Sequence, residues 1–222
     1  MELSVVFEND RLLAVAKPAG QLVIPGRGAD QGEPLVETVR RHLDAKPFIV
    51  HRIDRATSGL VLFAKDADAQ RKLSFMFEAK KIRKAYLALV RGEVKGDGTI
   101  NEPLRVFGSG RTGVDPRGKY ALTHYHIEER FRETTLLRVV IETGRRHQIR
   151  AHLTHLRHPV MGDTRYGTNR PVGGAARLML HAHTLKVPGF GKKEIALKDE
   201  PPEDFLKVVE SCRAESEHPQ WN

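Results

Sequence analysis

The feature that most constrains this chain is the stretch from Phe48 to Ala64, where a polar nonapeptide separates two apolar runs. Phe48-Ile49-Val50 is short and partly β-branched. Leu60-Val61-Leu62-Phe63-Ala64 is wholly apolar and of strand length. His51-Arg52-Ile53-Asp54-Arg55-Ala56-Thr57-Ser58-Gly59 therefore reads as a tight loop between two buried strands. Small Ala56, Ser58 and Gly59 let another backbone or a ligand come close. Asp54 lies near the cations Arg52 and Arg55, which keep it ionised even when partly desolvated. An ionised carboxylate on a rigid loop serves as nucleophile, general base or ion-pair partner. Taken alone, the loop favours the ion pair.

A second polar cluster shifts that balance. Gly144-Arg145-Arg146-His147-Gln148-Ile149-Arg150-Ala151-His152-Leu153 follows the strand-like Leu136–Ile141 and opens a helix. Ile149, Leu153 and Leu156 fall at i, i+4 and i+7 and form one apolar stripe. Arg150 lies off the stripe near the helix start, where it can reach out of the packed layer toward a carboxylate from another loop. A planar guanidinium fork is the best single group for holding a carboxylate in one orientation. Asp54 and Arg150 are thus two halves of a candidate acid site.

Six strings in order carry a resemblance to a known family. The acid loop resembles the H-R-L-D-x-x-T-S-G motif of RluA-type pseudouridine synthases, with Ile53 where leucine is usual. The second cluster resembles their G-R-T/S-H-Q-I/L-R-V-H motif, with Arg146 for a small hydroxyl residue and Ala151 for a branched apolar one. Lys17-Pro18-Ala19-Gly20, Lys84-Ala85-Tyr86, Gly162-Asp163-Thr164-Arg165-Tyr166-Gly167 and Arg177-Leu178-Met179-Leu180-His181-Ala182 also match, over residues 12 to 209 in all. The resemblance implies an α+β fold with a mixed, mostly antiparallel central sheet, flanking helices and an RNA-binding cleft. The activity it implies is isomerisation of specific uridines in ribosomal RNA or tRNA. Because the match begins close to residue 1, the extra N-terminal RNA-binding module of some relatives is not expected.

The resemblance also implies roles for single residues. Asp54 matches the essential catalytic aspartate, and Arg150 its expected partner. Tyr86 matches a ring that stacks on the target base and moves a proton, although core packing would also explain it. Leu180 matches the aliphatic residue beneath the uracil, a place compatible with an ordinary core leucine. Arg52 is a phosphate contact, an ion-pair partner or the group that fills the gap left by a flipped nucleotide. Lys17 shapes its turn or meets phosphate. Lys80, Lys81, Arg145 and His147 flank these residues and are further candidates for substrate contact. Pseudouridine formation breaks the C1′–N1 bond and joins C1′ to C5. It has no redox or phosphoryl step, so no cofactor is expected. His147, His152, His155 and His158 raise a metal-hydrolase alternative, but Pro159 ends the helix and no glutamate accompanies a His-x-x-x-His pair, so no metal is expected.

Composition bounds the remaining classes. Lys and Arg number 37 against 28 Asp and Glu, a formal charge of +9 with a sequence pI near 9.8. The basic cluster Lys80-Lys81-Ile82-Arg83-Lys84 and the pair Arg145-Arg146 lie beside the candidate site, which favours a polyanionic partner, RNA. A non-enzymatic RNA-binding module is the alternative. Apolar runs such as Leu60–Ala64 are far too short for a membrane span, and Met1-Glu2-Leu3-Ser4 lacks the pattern of a signal peptide. A single Cys212 excludes an intramolecular disulfide framework. A cytoplasmic monomer without an obligate protein partner is expected.

Along the chain, 5–7 and 12–16 predict a hairpin, and 21–34 a loop. Helices are predicted over 35–43, 67–78 behind an Asp66 cap, 148–156, and from Asp204 to about Cys212. Strands are predicted over 86–90, 123–128, 135–141 and 178–187. One catalytic domain over 1–213 in two lobes is expected, with a junction or mobile flap near 92–118, which holds seven glycines. A polar, frayed tail would follow over 214–222.

Overall fold

A computed structural model of the chain describes residues 2–26, 32–167, 174–190 and 194–217. In chain order the elements are β1 (Val5–Glu8), β2 (Leu12–Lys17), α1 (Leu35–Leu43), β3 (Phe48–Ile49), β4 (Ser58–Ala64), α2 (Ala67–Glu78) and β5 (Arg83–Arg91). Then follow β6 (Gly98–Asn101), β7 (Leu104–Val106), β8 (Thr112–Val114), β9 (Leu122–Arg130), β10 (Thr134–Ile141) and α3 (Gln148–His155). The last are β11 (Leu180–Val187), β12 (Ile195–Lys198) and α4 (Glu203–Glu217). The chain forms two compact units, Met1–Lys84 with Ala182–Glu200, and Ala85–His181 with Pro201–Asn222. The glycine-rich stretch 92–118 thus lies inside the second unit, and the chain changes unit after Lys84.

In the first unit the strands run β1-β2-β4-β11, with β3 beside β4 and β12 beside β11. The pairings β1–β2, β2–β4, β3–β4 and β11–β12 are antiparallel. All seven residues of β4 are buried, as an apolar run without alternation requires. Leu60 and Leu62 pack with Leu12 and Ala14 and with Ala69, Leu73 and Met76, which α2 presents at i, i+4 and i+7. Asp66 caps α2 as the sequence predicts, accepting from the Ala69 N–H at 2.8 Å. Gly59 has φ 110°, and a Cβ there would sit 2.3 Å from the Ala182 carbonyl oxygen. Only glycine lets β11 pass so close to the exit of the acid loop.

In the second unit the order is β5-β10-β9-β6, while β7 and β8 pair as a separate two-stranded sheet. Along β10, Leu137, Val139 and Ile141 are buried and Arg138 is exposed, the alternation of a strand with one covered face. The stretch 92–118, expected as a flap, contains β6, β7 and β8 and is laced to distant residues. The Val94 N–H donates to Thr135 Oγ1 at 3.0 Å, that hydroxyl donates to the Gly92 carbonyl at 2.8 Å, and Asp97 accepts from the Ile127 N–H at 2.8 Å. Helix α4 runs five residues past its predicted end. Arg213 grips Glu129 at 2.7 and 2.8 Å, and Ser216 accepts from the Arg132 N–H at 2.8 Å, so packing holds turns that the polar sequence alone would not. Of the expected tail, 218–222 lie outside the described residues.

Candidate active site

Asp54 opens a turn that the first unit staples in place. The Thr57 N–H donates to the Asp54 carbonyl at 3.1 Å. The register pairing Lys17 with Gly59 brings the end of β2 beside the exit of this loop. There the Lys17 ammonium, 1% exposed, donates to the carbonyls of Pro18 (2.7 Å), Gln21 (2.8 Å) and Arg55 (3.1 Å). Gly20 and Arg55 are joined twice more: the Gly20 N–H meets the Arg55 carbonyl, and Arg55 Nε meets the Gly20 carbonyl, each at 2.8 Å. A buried cation is tolerated only when its protons are all used, so Lys17 shapes the loop and is not exposed to a phosphate. Ile53 points inward and Asp54 stays half-buried between exposed Arg52 and Arg55. Beside them, His51 Nε2 accepts from the Leu62 N–H at 2.8 Å and the ring stacks on Phe77 at 4.9 Å. Burial, helped by the Lys84 charge, pushes the His51 pKa down to about 3, so the ring is neutral at physiological pH.

In the second unit the entry to α3 is locked by Gln148. Its carbonyl oxygen accepts from Thr143 Oγ1 at 2.7 Å and the Arg145 N–H at 3.0 Å, and its amide donates to the Leu122 carbonyl and Thr123 Oγ1, both at 2.9 Å. His147, in the left-handed region at φ 53°, turns the chain into the helix. Arg150 does not project outward as its place off the stripe implies. It is 7% exposed, and its Nε and Nη2 close on Asp163 at 2.7 and 2.8 Å. Burial pushes the Asp163 carboxyl up. The Arg150 fork, with the amides of Arg165 and Tyr166, outweighs that and holds it below the usual carboxylate range. The Tyr166 ring lies against this pair, with the Arg150 and Arg111 guanidinium carbons each 5.0 Å from its centroid. Its hydroxyl accepts from the Thr112 N–H at 2.8 Å and shares a hydrogen bond with His147 Nδ1 at 3.0 Å.

The rival histidine reading meets occupied rings. His152 is fully buried, with Nδ1 on Thr123 Oγ1 at 2.8 Å and Nε2 on the Glu102 carbonyl at 2.9 Å. His158 Nδ1 donates to the Arg91 carbonyl at 2.9 Å. Among the described residues no group of three His, Cys, Asp or Glu side chains is placed to hold a metal ion.

Both polar strings fall within a family match over residues 11–155 to RNA pseudouridylate synthase. The chain belongs to that family. It is a pseudouridine synthase of the RluA type, an enzyme class that isomerises uridine to pseudouridine. Over 235 residues this synthase is 34% identical to the ribosomal large subunit pseudouridine synthase D of Vibrio parahaemolyticus, a match covering 97% of this chain and 72% of that one. Its fold matches human RNA pseudouridylate synthase domain containing 4 with a TM-score of 0.81 at 20% identity, covering 95% and 93% of the two chains. It also matches human RNA pseudouridylate synthase domain containing 1 with a TM-score of 0.76 at 27% identity, covering 90% and 84%. The expected α+β fold with a mostly antiparallel sheet is the fold observed.

The remaining candidates of this synthase distribute as follows. Tyr86 is half-buried on β5, and Leu180 is 3% exposed at the start of β11. Lys80 and Lys81 are exposed just past the end of α2, with the Lys81 ammonium 5.3 Å from the Phe75 centroid. Arg145 is exposed and donates from Nε to the Tyr120 carbonyl at 2.9 Å. Asp163, Tyr166 and Gln148 were not expected to organise the site. Two of them lie in the Gly-Asp-Thr-Arg-Tyr-Gly string, where nothing local shows which cation Asp163 meets.

Proposed function

We propose that this pseudouridine synthase modifies uridine in large-subunit ribosomal RNA and that Asp54 is its catalytic carboxylate. The single observation that carries the reading is the stapling of the Asp54 loop by Lys17 and Arg55, which holds one ionisable acid half-exposed on backbone that cannot drift. Such preorganisation is what a nucleophile or charge-stabilising group needs. The Asp54 carboxylate attacks ribose C1′, or stabilises the charge there, as the C1′–N1 bond breaks. The freed base turns and C5 bonds to C1′, releasing the Asp54 carboxylate again where it had bonded there, and the proton lost from C5 is balanced by one gained at N1. Arg150, its plane set by Asp163, is the group proposed to orient the carboxylate. Tyr86 is proposed to stack on the base, with Leu180 beneath it. Arg52, Lys80, Lys81, Arg145 and His147 are proposed RNA contacts. The choice of ribosomal RNA over tRNA is supported by the names of the curated relatives, which are ribosomal large subunit synthases. Among the described residues no helix is long and apolar enough to cross a membrane, and the same reading has the enzyme acting as a cytoplasmic monomer.

The test is pseudouridine mapping in total RNA from cells lacking the protein, complemented with wild type or Asp54→Asn. Wild type should restore modification at a defined ribosomal uridine. The variant, with nearly the same volume but no charge, should restore none while still binding RNA. Restoration by Asp54→Asn removes the catalytic assignment, and a site that appears only in tRNA removes the ribosomal one.

A further inference from the structure

We propose that the β7–β8 hairpin is a separate RNA contact of this enzyme, with Phe107 a platform on which an unpaired base stacks. The inference rests on the reading of the chain as an RNA enzyme and adds a surface that its catalytic residues do not include. Seven large apolar side chains are exposed among the described residues, and three belong to this short stretch: Val106 at 49%, Phe107 at 40% and Tyr120 at 47%. Water penalises such a concentration, so something is expected to cover it. Its surroundings name the chemistry of the cover. Between residues 104 and 120 stand Arg105, Arg111, Arg117 and Lys119 against one acid, Asp115, which is gripped by Arg117 at 3.1 and 3.2 Å and met by Arg105 at 3.4 Å. Flat apolar rings interleaved with guanidinium groups suit a polyanion that presents unstacked bases, which is how single-stranded RNA is held.

The hairpin is built to hold these groups still. Its turn is closed by the Phe107 N–H on the Arg111 carbonyl and the Gly110 N–H on the Phe107 carbonyl, both at 2.8 Å. Its base is pinned where Leu104 and Lys119 exchange backbone hydrogen bonds at 2.9 and 2.8 Å, and where Leu104 packs with Ala121, Ala151 and Tyr166. The Arg165 guanidinium donates to the Ser109 carbonyl at 3.0 Å and steadies the tip. Phe107 itself lies on bare backbone: a Cβ at Gly113 would stand 3.1 Å from its Cε2 atom. The Arg105 guanidinium carbon is 5.8 Å from its centroid. The ring is therefore positioned before any base arrives, which lowers the entropy lost on stacking.

Binding of a fluorescein-labelled oligouridine, followed by anisotropy, tests this on the full chain. Phe107→Ala should weaken binding about tenfold, the loss typical of one stacked base, and Phe107→Trp should restore it with quenching of the new indole. Gly113→Val, which crowds the ring on its seat, should weaken binding in the same direction as Phe107→Ala. Arg105→Gln with Arg111→Gln should lower the slope of log affinity against log salt by about one. Wild-type affinity in Phe107→Ala with an unchanged salt slope in the double variant overturns the proposal. So does binding of wild type, but not Phe107→Ala, to anionic phosphatidylglycerol vesicles in place of the oligonucleotide. Pseudouridine mapping separates the two readings: a wild type that modifies no uridine yet loses oligouridine affinity on Phe107→Ala fails only as an isomerase.

Discussion

Asp163 accepts four hydrogen bonds, two from the Arg150 fork and two from the Arg165 and Tyr166 amides at 2.9 and 3.0 Å. Its side chain is fully buried and that of Arg150 is 8% exposed, so neither charge has water to fall back on. Removing the Asp163 charge leaves the Arg150 fork without the two strong acceptors that face it, a loss of about 3–5 kcal/mol for buried pairs. Asp163→Asn should therefore lower the urea midpoint sharply. Asp163→Asn combined with Arg150→Met should regain part of the loss, because the cation that the lost carboxylate faced is gone. A double variant as unstable as the sum of its parts would show that the two residues act independently. Arg150 meets a carboxylate from another loop, as its fork suggests, and that carboxylate is Asp163. Its place off the apolar stripe predicts a reach toward a carboxylate of another loop, but helical periodicity counts only apolar neighbours and cannot foresee that one such carboxylate is buried thirteen residues on.

Among the elements, α2 shows a conflict that the sequence settled against ease of folding. Its C-terminus closes with the Lys81 N–H on the Met76 carbonyl at 2.9 Å and the Lys80 N–H on the Phe77 carbonyl at 3.2 Å, a geometry that forces Lys80 to φ 54°. Glycine is the usual residue there, and a side chain costs about 1 kcal/mol. Lys80→Gly should raise the midpoint of thermal unfolding by a few degrees, read by circular dichroism. An unchanged or lower midpoint would mean that contacts of the Lys80 side chain outweigh the backbone strain. The boundaries of α1 and α2 were legible because apolar spacing and the Asp66 cap are local signals. Strands β6, β7 and β8 were not: seven glycines outweighed short apolar stretches, and the hydrogen bonds from Thr135 and Ile127 that order the segment come from distant sequence.

Over the whole molecule, three groups tie stability to pH with opposing signs. His51 has its pKa lowered to about 3 by burial, so its contribution is full above the unfolded value of 6.5 and is lost as pH falls below it. Asp66, lowered to about 2 by its Arg11 and Ala69 hydrogen bonds, contributes above pH 3.8 and loses that contribution as pH falls toward 2. Asp199 runs the other way: burial, with the Glu200 charge, raises it to about 6, so its contribution is full below pH 3.8 and lost as pH rises through 6. Asp199→Asn should accordingly raise the urea midpoint at pH 8 and leave it unchanged at pH 3.5. A gain of equal size at both pH values would show that the charge of Asp199 is not what matters.

By itself, the sequence determined the family and the local elements of this protein. Fully apolar β4, the stripe of α2, the Asp66 cap and the acid loop are written in neighbouring residues, and neighbouring residues decide local backbone form. The tertiary structure alone decided how those pieces are used. It buried Lys17 under three carbonyls, gave Arg150 to Asp163, ran α4 on to meet Glu129 and Arg132, and turned a glycine-rich stretch into a hairpin. Each of these outcomes joins residues far apart in sequence, where the gain comes from burial and from satisfying polar groups that no local pattern records.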